Sequence, residues 1–111
     1  MIAGSASYSQ DFERMIDSIK NTYNAAATLE IKAKEAGVLS QVYMSVDPAQ
    51  SDIWGKKALE DAELSRNRKA MAQANLDNGI RLSYIAGKKE LQRKSIEFFE
   101  KAYTIARANK L

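Results

Sequence analysis

The residues best suited to chemistry are missing from this 111-residue chain: it contains no histidine and no cysteine. Histidine is the usual proton carrier near neutral pH and the commonest metal ligand. Cysteine supplies thiolate nucleophiles and disulfides. Acid–base work would therefore fall to an Asp, Glu, Lys or Tyr with a displaced pKa, and carboxylates alone would have to hold a metal. The densest carboxylate cluster is Glu60, Asp61 and Glu63, and a charged helix face accounts for it without chemistry. No serine–lysine spacing, glycine-rich phosphate loop or calcium-loop pattern occurs. The sequence thus predicts no catalytic residue, cofactor or metal site, and a protein that is not an enzyme.

Two other residue classes can make contacts. Arg66, Lys69, Lys88, Lys89 and Arg93 are candidates for weak phosphate contact, because backbone phosphates require only positive charge on one face. No aromatic residues alternate with these cations to stack on bases, and Glu90 and Glu97 dilute the patch. Phe12, Tyr43, Trp54, Phe98, Phe99 and Tyr103 are the candidate interface residues, since large aromatic side chains dominate protein–protein contacts. Trp54, the single tryptophan, has a second reading as the cover over the open end of a helical hairpin.

These residues must be positioned by helices. One proline and five glycines leave few sharp turns, and apolar residues recur at steps of three and four. A small polar arm over 1–8 precedes a first helix over 9–46, carried by Phe12, Ile16, Ile19, Tyr23, Ala26, Ile31, Val38 and Val42. Gly37 marks either a bend or the close approach of another helix. Asp47-Pro48-Ala49-Gln50 is the strongest local signal: a capping carboxylate, then proline at the first helical position; Ser51-Asp52 offers a second start, and Asp47 is preferred. A second helix follows over 48–78, with a thin apolar face that nearly vanishes at Arg66-Asn67-Arg68-Lys69, and Asn78-Gly79 reads as its end. Residues 80–110 form a third helix or continue the second, 80–86 being helix or connector. Glu30–Lys34, Glu90–Lys94 and Glu97–Lys101 are spaced as i,i+4 pairs. The expected fold is all-α, a single domain built as a long antiparallel helical hairpin or a small two-to-three-helix bundle.

Leu29, Leu39, Tyr43, Leu64, Phe98 and Ile105 lie off the main apolar stripes, and a helix with a second apolar face buries it against something else. Net charge is also uneven: −3 over residues 1–55 and +6 over 56–111, within a total of +3. The function expected is a non-catalytic structural or assembly subunit, packing through its helices with copies of itself or with partner proteins in a larger bacterial or viral assembly. The alternatives are a helical adaptor or chaperone for one protein client, and a basic nucleic-acid-associated protein. No run approaches the roughly 20 apolar residues of a membrane span, no small-molecule substrate is indicated, and no cleavable signal peptide is recognisable at Met1-Ile-Ala-Gly-Ser-Ala-Ser. A soluble protein is expected, with the cytoplasm, signal-independent export and a virion all left open as its place. Replacing Asp47 by Ala should lower stability by about 1 kcal/mol, read from urea unfolding, if its carboxylate caps the second helix.

Overall fold

The computed structural model describes residues 3–85 and 89–111, and side chains over 10–85 and 89–111. These residues form five helices and no strand: α1 (Ala3–Ala25), α2 (Leu29–Tyr43), α3 (Pro48–Ser65), α4 (Arg68–Ile85) and α5 (Lys89–Ala108). The all-α expectation holds, but there are five helices where two or three were expected. The region expected as an arm over 1–8 is helical from Ala3, Met1 and Ile2 lying outside the described residues. Helix propagates backward from the amphipathic segment through Ala3 and Ala6 more readily than it nucleates anew.

Each additional break has a capping residue. The helix expected over 9–46 divides at Ala26–Thr28, where extended Thr28 accepts a hydrogen bond from Ile31 N at 3.2 Å. The run Ala25-Ala26-Ala27 keeps helical spacing and so conceals this break from a periodicity argument. At the expected place, Asp47 caps α3 by accepting from Gln50 N at 3.2 Å, with Pro48 in the first turn. The helix expected over 48–78 divides where its apolar face vanishes. Arg66 adopts the left-handed conformation (φ 58°), Ser65 Oγ accepts from Asn67 N, and Asn67 Oδ1 accepts from Ala70 N at 2.9 Å. Asn78-Gly79 does not end a helix: both residues are buried inside α4, which continues to Ile85. Residues 80–85 are therefore helix, and residue 86 of the expected connector lies outside the described residues.

Consecutive helices run antiparallel, each packed on the next, and α2 also contacts α4. Helices α2, α3 and α4 thus form a central trio, with α1 against α2 and α5 against α4. The Cα framework is flat, 51 × 39 × 19 Å. Its radius of gyration of 15.1 Å exceeds the roughly 13 Å of a compact chain this long. No described helix is long and apolar enough to cross a membrane.

The centre of the trio is made of small side chains. Ala33, Ala36, Ala58, Ala62 and Ala74 form the main buried cluster, with Tyr23, Trp54, Leu59 and Met71 packed around it. Leu39 is the only large apolar side chain in the described core that is fully buried. Such residues let helix backbones approach closely, which brings side-chain polar groups onto opposing carbonyls. Ser40 Oγ donates to Ser51 O at 2.8 Å and Ser51 Oγ donates to Ser40 O at 2.7 Å, tying α2 to α3. Asn78 Nδ2 donates to Gly55 O at 3.0 Å and to Ala74 O at 2.9 Å, tying α4 to α3. Arg81, 4% exposed, donates to Asn78 Oδ1 at 2.8 Å and pairs with Asp52 at 3.1 Å.

Gly55 makes this convergence sterically feasible. A Cβ there would lie 2.8 Å from Asn78 Oδ1, 2.9 Å from Arg81 Nε and 3.2 Å from Ser40 Oγ. Gly55→Ala would gain about 1 kcal/mol of helix propensity, but overpacking a tight site costs about 1–3 kcal/mol, and the Asn78 and Arg81 hydrogen bonds would be displaced as well. A net loss of stability is expected. Urea unfolding of Gly55→Ala checks this, and an unchanged or raised midpoint would show that the site is looser than its contacts indicate.

Candidate functional site

The aromatic candidates fall into two groups. Phe12 and Tyr43 meet edge to face, ring centroids 6.1 Å apart, and hold α1 on α2, with Lys20 Nζ 5.8 Å from the Tyr43 ring. Trp54 is half-buried, edge-on to Tyr23 at 5.1 Å, with Lys57 over its other side at 5.6 Å. These three side chains make aromatic contacts within the fold and remain half-buried. Trp54 sits against the alanine cluster. Phe98, Phe99 and Tyr103 lie on α5. The Phe99 ring rests on Gly79, Phe98 lines a groove toward α3, and Tyr103 is 64% exposed.

The phosphate candidates do not converge. Arg66 and Lys69 are exposed at the start of α4, while Lys89 and Arg93 are exposed at the start of α5. Because α4 and α5 are antiparallel, these pairs lie near opposite ends of a hairpin about 27 Å long. Lys88 lies outside the described residues. Of the i,i+4 pairs expected from spacing, Glu30–Lys34, Glu90–Lys94 and Glu97–Lys101 do not close within 4 Å; the ion pairs among described residues are Asp11–Arg14, Asp52–Lys56 and Asp52–Arg81. Exposed ions gain little by pairing and remain hydrated.

The carboxylate cluster also separates. Asp61 points inward, 6% exposed, and accepts from Tyr23 Oη at 2.8 Å, whereas Glu60 and Glu63 face solvent. Burial, the hydrogen bond to Asp61 and the negative charges of Asp61 and Glu60 push the Tyr23 phenol up to about 12. A phenol held protonated in this way serves as a donor joining α1 to α3. No group of His, Cys, Asp and Glu among the described residues can hold a metal ion.

Helix α5 carries large exposed apolar side chains. Its buried residues are only Ser95 and Ala102, against α4. One apolar stripe, Ile96, Phe99, Tyr103 and Ala106, runs along α5, and its Phe99, Tyr103 and Ala106 meet Leu76 of α4. Ile96 is 56% exposed, Leu111 beside the hairpin 58%, and Phe99 and Tyr103 line a shallow cleft with Leu76 and Leu111. The second stripe, Leu91, Phe98 and Ile105, lies about 120° away around the helix, and its Leu91 and Phe98 line a groove with α3. Of the apolar residues exposed on this side or lining the clefts of α4 and α5, Phe98, Phe99 and Tyr103 are among the aromatic candidates from the sequence, whereas Leu76, Ile80 and Leu111 are not. Leu76 and Ile80 stand one turn apart, and the misplaced helix end at Asn78-Gly79 obscured that spacing.

On the other side of α4, Asp77 lies against Gly37 of α2 in a groove shared with Gln41 and Gln73. Gln41 Nε2 donates to Asp77 O at 3.0 Å and Gln73 Nε2 to Asp77 Oδ1 at 3.0 Å. Burial raises the Asp77 carboxyl above the usual carboxylate value, and the Gln73 hydrogen bond partly offsets the rise. A raised folded-state pKa favours the protonated form, so this stabilising contribution is present below the unfolded pKa and lost as pH rises through the folded one. Asp77→Asn should therefore raise the thermal midpoint at neutral pH, with the difference shrinking as acid protonates the wild-type carboxyl. A constant difference across that range, in thermal scans at several pH values, would assign the effect to something other than charge.

Compared with known proteins, the chain matches no family model, no curated sequence and no solved structure.

Proposed function

We propose that this chain is a non-catalytic assembly subunit that associates with further copies of itself through the exposed face of α4 and α5. One observation carries the reading: α5 is apolar on two sides and packs against α4 alone. A terminal helix held by one neighbour, with Ile96, Tyr103 and Leu111 more than half exposed, leaves unburied the kind of surface that marks interaction sites. The uneven charge of the chain favours a second copy as the occupant. The acidic half carries its own exposed apolar residues, Met15, Leu29 and Ile31, on α1 and α2. Opposite net charges, −3 and +6 in the two halves, direct the basic α4–α5 face of one copy onto the acidic half of another. A contact between two different surfaces is heterologous and propagates unless its rotation closes a ring.

Light scattering after size exclusion should give a mass above the 12.4 kDa monomer, rising with protein concentration and falling with salt. Leu76→Glu with Tyr103→Glu, both at exposed positions, should leave helical circular dichroism unchanged and weaken association by about thirtyfold or more, as expected for interface hot spots. A monomer that persists at high protein concentration would overturn the reading.

A further inference from the structure

The second apolar stripe of α5 borders a groove unlike the face proposed for self-association. Its walls are α3 and α5 and its floor is α4. The floor and lower walls are apolar: Leu59 from α3, Leu82 from α4, and Leu91 and Phe98 from α5. Leu82 is buried and the other three are half-buried. On the opposite side of the trio, α2 lies over both α3 and α4, whereas α5 makes its backbone contacts with α4 alone. The space between α3 and α5 is thus left without a helix.

The rim carries a positive bias. Lys56, Lys94 and Lys101 are exposed along both walls. Lys56 is shared with Asp52, whose other oxygen is held by buried Arg81, and Glu97 is the other acid on the rim. Counting Arg81, the groove holds four cations and two anions. From Leu91 to Lys101 it extends along α5 for about 15 Å, nearly three helical turns.

We infer that this groove binds an acidic amphipathic helix of a partner protein, which would lay apolar residues at i, i+3, i+4 and i+7 on Leu59, Leu82, Leu91 and Phe98 and place carboxylates against Lys56, Lys94 and Lys101. Charge complementarity selects the sign of the partner, and the apolar floor with its three-turn length selects a helix in a groove. This site is separate from the Leu76–Tyr103 face, so the two can fail independently.

The test uses the Leu76→Glu/Tyr103→Glu chain, which lacks the proposed self-association face, with two fluorescent probes: an amphipathic peptide with leucines at helical spacing and glutamates elsewhere, and the same peptide with lysines replacing the glutamates. By fluorescence anisotropy the acidic peptide should bind at least about tenfold more tightly than the basic one, and this preference should weaken with salt. Lys56→Glu/Lys94→Glu/Lys101→Glu, all at exposed positions, should reverse the preference while circular dichroism stays helical. Equal binding of the two peptides, no binding of either, or a preference unchanged in the triple variant would each overturn the proposal. So would competition by a fatty-acid carboxylate with no peptide binding, which would assign the groove to a lipid. Residual self-association abolished by the triple variant, again with no peptide binding, would assign it to a second copy.

Discussion

The close approach of α2, α3 and α4 is the constraint on which the rest of the structure depends. Gly55 lacks the one carbon that would separate Asn78 and Arg81 from α3 and Ser40. With that space left empty, Ser40 and Ser51 exchange hydrogen bonds with each other's carbonyl oxygens, and Asn78 reaches across to the carbonyl of Gly55. Ser51 O and Gly55 O lie inside α3 and offer the side-chain donors a second lone pair, whereas Ser40 O stands in the last turn of α2, where Met44 N bonds to Gln41 O instead. Short polar side chains thus tie the trio together where a conventional bundle would interleave leucines.

A centre of this kind has a geometric consequence. Alanine, serine and glycine fill little space, so helices packed on them leave no room inside for the large apolar residues. Those residues are displaced outward, which is why Leu64, Tyr103 and Leu111 are more than half exposed while Ala36 and Ala58 are fully buried. The framework is correspondingly flat. Small residues bury little apolar area, and stabilisation scales with the area removed from water. Apolar area therefore remains on the surface, on α4 and α5 as well as on the other helices.

Charge is arranged to the same effect. Arg81 is held inside by Asp52 and Asn78, although burial lowers its pKa from the usual arginine value. Removing Asp52 would leave a buried cation without its counter-ion, a costly state in a low-dielectric site. The pair therefore fixes the register of α3 on α4, and with it the wall of the basic groove. Outside this node Lys32 donates to Tyr23 O and Lys57 lies over the Trp54 ring, while the other cations of α4 and α5 form no ion pair among the described residues.

The sequence alone determined the helical class, through three-and-four spacing and a shortage of turn residues, and it determined the start of α3, because Asp47-Pro48 encodes its cap within four residues. Local chemistry of that kind needs no partner to act. It determined less at Thr28 and Asn67, where alanine runs or good helix formers on either side continue the periodic pattern through a real break. Asn78-Gly79 misled for the opposite reason: a pair that commonly ends helices serves here as a contact surface, with Gly79 beneath Phe99 and Asn78 bonded to α3. A glycine that accommodates a neighbouring helix is indistinguishable in sequence from one that turns the chain, because the deciding atom belongs to a residue twenty or more positions away. The two apolar phases of α5 were likewise legible, but that they flank the α4 contact, which buried Ser95 and Ala102 make, was decided only by the tertiary structure.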